Sequence, residues 1–332
     1  MSHPAPPVAV IGAGVVGLTT ALAILRRGVP VTIYAQDPDA PQASSVAPAM
    51  FTPYAGPAPD RLRRWVESSW RSFVTLAARS PESGVSMSTL REAFYHRRPT
   101  EPWLADLLQP RPLPPRPPYA LVRDTTRPAI DMLVYLPWLR GRATAAGAAL
   151  VRRRLQRLHD AFDAGHRTLV HCAGLGAGPL ASDPAVRPMH GQVVHAPNDI
   201  HLGHSIHDDA AAPGSAYVFR FPDRLVIGST FQPDRPEPGT DEPTLDDILR
   251  RARALLALDG LPTPERLGAV RIQVRGAARP ARGSAGVYED VRLEAESLAG
   301  GRRIVHNYGH GRMGVTVSWG TAEEAADLAL RP

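Results

Sequence analysis

The stretch Val8-Ala9-Val10-Ile11-Gly12-Ala13-Gly14-Val15-Val16-Gly17 decides the fold. A short β-branched run ends on glycine, and G-x-G-x-x-G then opens a segment that carries no charge as far as Leu25. The pattern predicts a strand over Val8–Ile11, a tight turn, a helix over about Val15–Arg27, a stop at Gly28 and a second strand over Val31–Ala35. Gly12 permits the turn, Gly14 lets a ligand approach the backbone, and Gly17 lets helix and sheet pack closely. The amides at such a helix start suit a pyrophosphate, so this βαβ unit points to a bound dinucleotide. An uncharged run of this length also resembles a short membrane span or a signal segment. No Lys or Arg precedes it, three glycines interrupt it, and a second strand follows at once. The expectation is therefore a chain with no targeting signal and no membrane partner, resident in the cytoplasm.

An acidic residue that binds the ribose normally closes the second strand of such a unit. Here Gln36 holds that place and Asp37 comes one residue late. Either Asp37 reaches the ribose through an altered turn, or Gln36 bonds it as a neutral partner. No basic residue is expected to stand nearby for a 2′-phosphate, which speaks against NADP.

The chain has 332 residues, 43% hydrophobic and 21% charged, enough for one large domain or two interleaved ones and too apolar for disorder. Its single cysteine, Cys172, excludes a disulfide scaffold and a Cys-based metal centre, and fits a reducing compartment. All 38 basic residues are arginine, giving a formal charge of +6. They are scattered among 32 acids, so no nucleic-acid partner is expected. His201, His204 and His207 form H-x-x-H-x-x-H, but the surrounding Asn198, Asp199, Asp208 and Asp209 read as a polar loop, and no metal is expected.

Along the rest of the chain, Ser44–Tyr54 reads as a loop and the segment from Asp60 as an amphipathic helix. Residues Arg98–Arg127 are proline-rich and read as extended or looping. A helix is expected to start at Pro137, with Pro in its first turn, and to be followed by strands over Ala149–Arg153 and Thr168–His171. Tyr217–Phe231 alternates in hydrophobicity around a Pro222-Asp223 turn, as a hairpin does. Thr244 with Asp247 resembles a capping box for a helix through Leu258. A strand over Arg303–Asn307, a glycine-rich turn and a helix from about Thr321 close the chain. β/α units at both ends flanking an antiparallel middle imply an α/β dinucleotide domain assembled from separated segments, with a substrate domain inserted.

Two further stretches are distinctive: His306-Asn307-Tyr308-Gly309-His310-Gly311, continuing R-M-G-V-T-V-S-W-G, and Arg279-Pro280-Ala281-Arg282 upstream of it. With the N-terminal G-A-G-V-V-G, the C-A-G-L-G-A at Cys172–Ala177 and G-Q-V-V at Gly191–Val194, they resemble the FAD-dependent D-amino-acid oxidase family, which includes D-aspartate oxidases. The resemblance spans nearly the whole chain. It implies a Rossmann-type FAD domain over residues 1–46, 130–190 and 283–332, with an inserted α+β domain on a mostly antiparallel sheet over 47–129 and 191–282.

The resemblance also implies roles. Ala13, Gly14, Val15 and Val16 would lie against the FAD pyrophosphate, and Gln36 and Asp37 would face the ribose. Ser44, Ser45, Ala49 and Met50 would line phosphates and flavin, Leu155 would meet the adenine, and Ala173 would lie near the cofactor. Gly311, Gly314, Val315 and Thr316 would hold the flavin. Arg282 would clamp the substrate α-carboxylate, helped by Tyr217, and the backbone carbonyl of Arg312 would receive the amine. Thr52, Tyr54 and Phe231 would shape the side-chain pocket. Tyr54 and Phe231 stand where D-aspartate oxidases carry a His and an Arg, which points to neutral or apolar substrates. The implied reaction is oxidative deamination of a D-amino acid by hydride transfer from Cα to flavin N5, with O2 as acceptor, giving a 2-oxo acid, ammonia and H2O2. The alternatives are a related FAD oxidase or dehydrogenase for an acidic D-amino acid or a secondary-metabolic amine, and a flavin-binding protein without catalysis. A homodimer is compatible with the sequence. Arg312, a long cation in the glycine-rich turn, departs from the family pattern.

Overall fold

The computed structural model describes residues 6–331 apart from 41, 55, 57, 98, 209–215, 229, 238, 259, 262–272 and 283–290. Two sheets organise them. The first has six strands in the spatial order Arg292–Leu298, Arg302–Tyr308, Thr168–His171, Val8–Ile11, Val31–Ala35 and Ala149–Arg152. All pairings are parallel except that of Arg292–Leu298 with its neighbour. The helix Val15–Leu25 follows the first strand as the glycine motif dictates. Gly12 turns at φ +112, and a Cβ on Gly17 would strike the Gly12 carbonyl. The C-terminal helix Ser318–Leu330 packs beside this helix, where Thr19 Oγ1 donates to the Ser318 carbonyl at 3.1 Å. The helix Asp60–Arg79 closes on it at Gly320, whose amide donates to Ser69 Oγ at 2.8 Å.

The second sheet has nine strands and is mostly antiparallel. Its strands Val186–Pro197, Ala216–Arg220 and Arg224–Gly228 obey the period of two. Val194, Val218 and Ile227 face outward and bury against Ile248 and Leu255 of the helix Glu242–Leu258. Val193, Tyr217 and Phe219 face the other way, toward the first sheet.

Several local expectations are corrected. The helix expected to begin at Pro137 spans Met132–Ala145 with Pro137 inside it. Its start is set by Asp131, whose carboxylate accepts from the Leu133 amide at 3.0 Å. The later helix is capped by Asp241, which accepts from the Thr244 amide at 2.9 Å, rather than by Thr244 with Asp247. The proline-rich segment holds a helix, Pro102–Leu108, and two strands, Arg111–Leu113 and Leu121–Ile130. Pro102 sits in the first turn, where its missing amide costs nothing. Gln273–Arg282, read only as a motif in sequence, is a strand paired with Val186–Pro197 over its whole length.

Candidate active site

A cavity of about 940 Å³ runs between the two sheets. One end lies at the carboxyl ends of the parallel strands, lined by Gly12, Gly14, Cys172 and Ala173, the usual ligand position in an open α/β sheet. The other end is walled by Tyr217, Phe219 and Ala277 of the antiparallel sheet. Asn307 and Tyr308 at the end of the strand Arg302–Tyr308, and the turn from Gly309 to Arg312 that follows them, line the cavity.

The residues expected at the cofactor divide into two groups. Gly14, Val15, Val16, Ser44, Ala49, Met50, Ala173, Gly311, Gly314, Val315 and Thr316 all line the cavity. Ser44 Oγ accepts from the Val15 amide at 3.0 Å, which ties the Ser44 loop to the helix start. Ala13, Gln36, Asp37, Ser45 and Leu155 are not among the lining residues. Ala13 turns into the first core, and Leu155 packs with Tyr34 and Phe162. The Ser45 hydroxyl is committed to a helix cap, donating to the Gln42 carbonyl at 2.9 Å.

Gln36 and Asp37 are exposed beyond the strand end. Asp37 is ion-paired with Arg152, and this contact holds its carboxyl below the usual range. The expectation that no basic residue stands near this position is therefore wrong. Parallel pairing sets Arg152 opposite Ala35, across more than a hundred residues of chain, and no sequence neighbourhood shows it.

The principal correction concerns Arg282. It is not a cavity residue. Its Nε donates to Asp183 Oδ2 at 2.8 Å, and the Tyr308 hydroxyl donates to the same oxygen at 2.9 Å. Burial would raise the Asp183 carboxyl, but these two donors hold it below its ordinary value. The guanidinium that does line the cavity is Arg279. Along a strand, residues three apart point to opposite faces, so only one arginine of R-P-A-R can face the cavity. Arg279 forms no ion pair among the described residues; its one hydrogen bond there donates to the Thr230 carbonyl at 3.4 Å. Its guanidinium carbon lies 5.0 Å from the centre of the Phe231 ring, which forms a shelf beneath it. Burial depresses its pKa, the nearby Tyr217 opposes this, and Arg312 adds to it.

Two glycines make room for this pair. A Cβ on Gly191 would come within 2.5 Å of both terminal nitrogens of Arg279, and one on Gly228 would overlap the Tyr217 hydroxyl. Tyr217 itself is buried and stacks on Phe219 with ring centres 4.2 Å apart. Thr52, Tyr54 and Phe231 line the same cavity, as does Arg312.

Sequence reading also missed a charged stretch of wall. Pairing aligns Tyr217 with His207 and His207 with Glu92, and all three line the cavity. Glu92 is buried and accepts from Arg123 Nε at 2.9 Å and from Arg127 at 2.6 Å. Burial alone would raise its pKa, but the two guanidinia outweigh burial and keep it ionised. No motif marks these residues, because strand register brings them together from distant segments. The three histidines noted in sequence form no metal cluster: no group of three or more His, Cys, Asp or Glu able to hold a metal occurs among the described residues. Residue Asp209 of that segment lies outside the described residues.

The turn fits a flavin. His310 and Asn307 line the cavity and are buried, yet His310 Nε2 and Asn307 Oδ1 have no hydrogen-bond partner among the described residues. Buried polar atoms left unpaired are costly, and the polar edge of an isoalloxazine would satisfy them. Burial lowers His310 to about 4, so its imidazole is neutral, and raises the Cys172 thiol to about 12, so it is no nucleophile.

Comparison with known proteins agrees with this geometry. A family model described as "DAO: FAD dependent oxidoreductase" matches residues 7–328. The D-amino-acid oxidase of Streptomyces coelicolor is 37% identical over 325 residues, covering 97% of this chain and 96% of that protein. The D-amino-acid oxidase of Rubrobacter xylanophilus is 35% identical over 328 residues, covering 96% and 94%. The D-aspartate oxidase of Homo sapiens is 33% identical, covering 97% and 94%. Among solved structures, the glycine oxidase of Geobacillus kaustophilus superposes with a TM-score of 0.73 at 18% identity, covering 99% of this chain and 95% of that one, a likeness of fold. No helix among the described residues is long and apolar enough to cross a membrane. By cavity, glycine framework and full-length match, this chain belongs to the D-amino-acid oxidase family of FAD-dependent oxidoreductases.

Proposed function

We propose that the cavity oxidises D-α-amino acids to imino acids, and that Arg279 holds the substrate carboxylate. The observation that carries this reading is a guanidinium with no carboxylate partner among the described residues, set beside Tyr217 in a cavity of about 940 Å³. A planar guanidinium grips a carboxylate through two parallel N–H···O bonds, fixing orientation as well as position. The Tyr217 hydroxyl adds a third point of contact, and the Arg312 carbonyl accepts from the amine. FAD, when bound, supplies the two-electron acceptor at N5 and passes the electrons to O2 as H2O2. The chain's task is to hold Cα–H in line for transfer and to keep water out until the imino acid leaves, when hydrolysis gives a 2-oxo acid and ammonia. Burial holds His310 in the turn neutral and, with its pKa lowered to about 4, makes it only a weak proton acceptor. The two sheets support the division into a FAD-binding domain and an inserted substrate domain. The single buried cysteine supports residence in the cytoplasm.

Anaerobic mixing of the holoprotein with D-alanine is expected to bleach the flavin absorbance, while L-alanine leaves it unchanged. Bleaching by the L-isomer alone would overturn the reading. Gly191→Ala gives a second check. The added methyl displaces the Arg279 guanidinium, and a misplacement near 1 Å costs about a hundredfold in kcat/KM. A variant that folds, binds FAD and keeps full kcat/KM would show that Arg279 does not work from this niche.

A further inference from the structure

The reaction as described uses the backbone carbonyl of Arg312 but not its side chain. Arg312 lines the same cavity as Arg279 and acts on it electrostatically, as a like charge. Among the described residues Arg312 makes no ion pair and no hydrogen bond from its side chain, and Arg279 makes no ion pair. Two carboxylates line the cavity, Glu92 and Glu101. Glu92 is already engaged by Arg123 and Arg127, and neither carboxylate pairs with Arg312. Of the three arginines that line the cavity, Arg127 is paired with Glu92, while Arg279 and Arg312 have no carboxylate partner among the described residues and repel each other as like charges until a ligand brings negative charge. One substrate α-carboxylate neutralises one of them. Phe231, a lining residue, lies beneath the Arg279 guanidinium, and the Arg312 side chain is exposed.

We infer that Arg312 determines side-chain specificity, its guanidinium holding the side-chain carboxylate of an acidic D-amino acid while Arg279 holds the α-carboxylate. This rests on the D-amino-acid reading above and replaces the neutral or apolar preference that Tyr54 and Phe231 suggest in sequence. The arrangement favours D-glutamate or D-aspartate over their amides, which match them in shape and lack only the charge. It disfavours basic side chains, which would meet two cations.

The test measures kcat/KM of the holoenzyme for D-glutamate against D-glutamine and for D-aspartate against D-asparagine. At least one acid is expected to exceed its amide by tenfold or more at low salt, with the ratio falling as salt is added. In Arg312→Met the ratio is expected to drop toward one, and in Arg312→Lys most of it is expected to return. Independently, glutarate is expected to perturb the flavin spectrum at lower concentration than butyrate, and Arg312→Met is expected to remove the difference. Acids no better than amides, or a ratio unchanged in Arg312→Met, would overturn the inference while oxidation of D-alanine left the proposed reaction standing. Failure of every D-amino acid, D-alanine included, to reduce the flavin would instead remove the reaction itself.

Discussion

Arg279→Leu is expected to lower kcat/KM for every D-amino acid by about a thousandfold, near 4 kcal/mol, because it removes a charge-assisted bidentate contact from a buried site. Arg279→Lys is expected to recover little. The niche formed by the bare Cα of Gly191 and the face of Phe231 suits a planar group, and an ammonium cannot present two parallel donors. The same leucine substitution at Arg282 separates the two arginines of the motif. Arg282 and Tyr308 both donate to Asp183, so Arg282→Leu strips one donor from a largely buried carboxylate. Its cost is expected in stability, about 1–3 kcal/mol, with kcat/KM changed by less than tenfold. Parallel steady-state kinetics and thermal melts of the two variants decide the matter. A collapse of kcat/KM in Arg282→Leu, with Arg279→Leu active, would reverse the assignment.

That reversal in R-P-A-R marks where sequence stops informing. The βαβ unit is legible because glycine is demanded locally: Gly12 turns at positive φ, and Gly17 admits no Cβ. Local demand also shows the turn from Gly309 to Arg312 and the helix after it. Which arginine of a pair three residues apart faces inward depends on where its strand begins and which neighbour it joins. Gln273–Arg282 gets its register from Val186–Pro197, some ninety residues earlier in the chain, and nothing local encodes it. The Tyr217–His207–Glu92 row is hidden for the same reason, since three separately dispersed strands align it. Helix starts failed differently. Pro137 and Thr244 have the right propensities for a first turn, but the carboxylates of Asp131 and Asp241 cap more strongly.

Acidification from pH 7 to pH 5 is expected to destabilise the protein steeply, and histidines rather than carboxylates are expected to cause it. Burial lowers His171 to about 3, His195 to about 4 and His310 to about 4. For His171 the neighbouring His306 adds to the effect, and for His195 Arg275 and Arg224 do so while Asp131 and Asp223 oppose them. In the unfolded chain each imidazole regains an ordinary pKa of about 6.5. Below that value the unfolded state takes up protons that the folded state refuses, so stability is complete above about pH 6.5 and is lost as pH falls toward the folded values. Each group costs about 1.4 kcal/mol per pH unit in that window, or about 2 kcal/mol at pH 5. Three together approach 6 kcal/mol, comparable with the whole stability of an ordinary domain. Lowered carboxylates such as Asp183 and Glu92 act in a separate range, near and below pH 4, where their unfolded counterparts protonate. Denaturant midpoints of the FAD-loaded protein from pH 7.5 to 5, with proton uptake on unfolding measured calorimetrically, give the check. Uptake approaching three protons at pH 5.5 is expected, and a flat profile down to pH 5 would mean that these imidazoles are not held neutral.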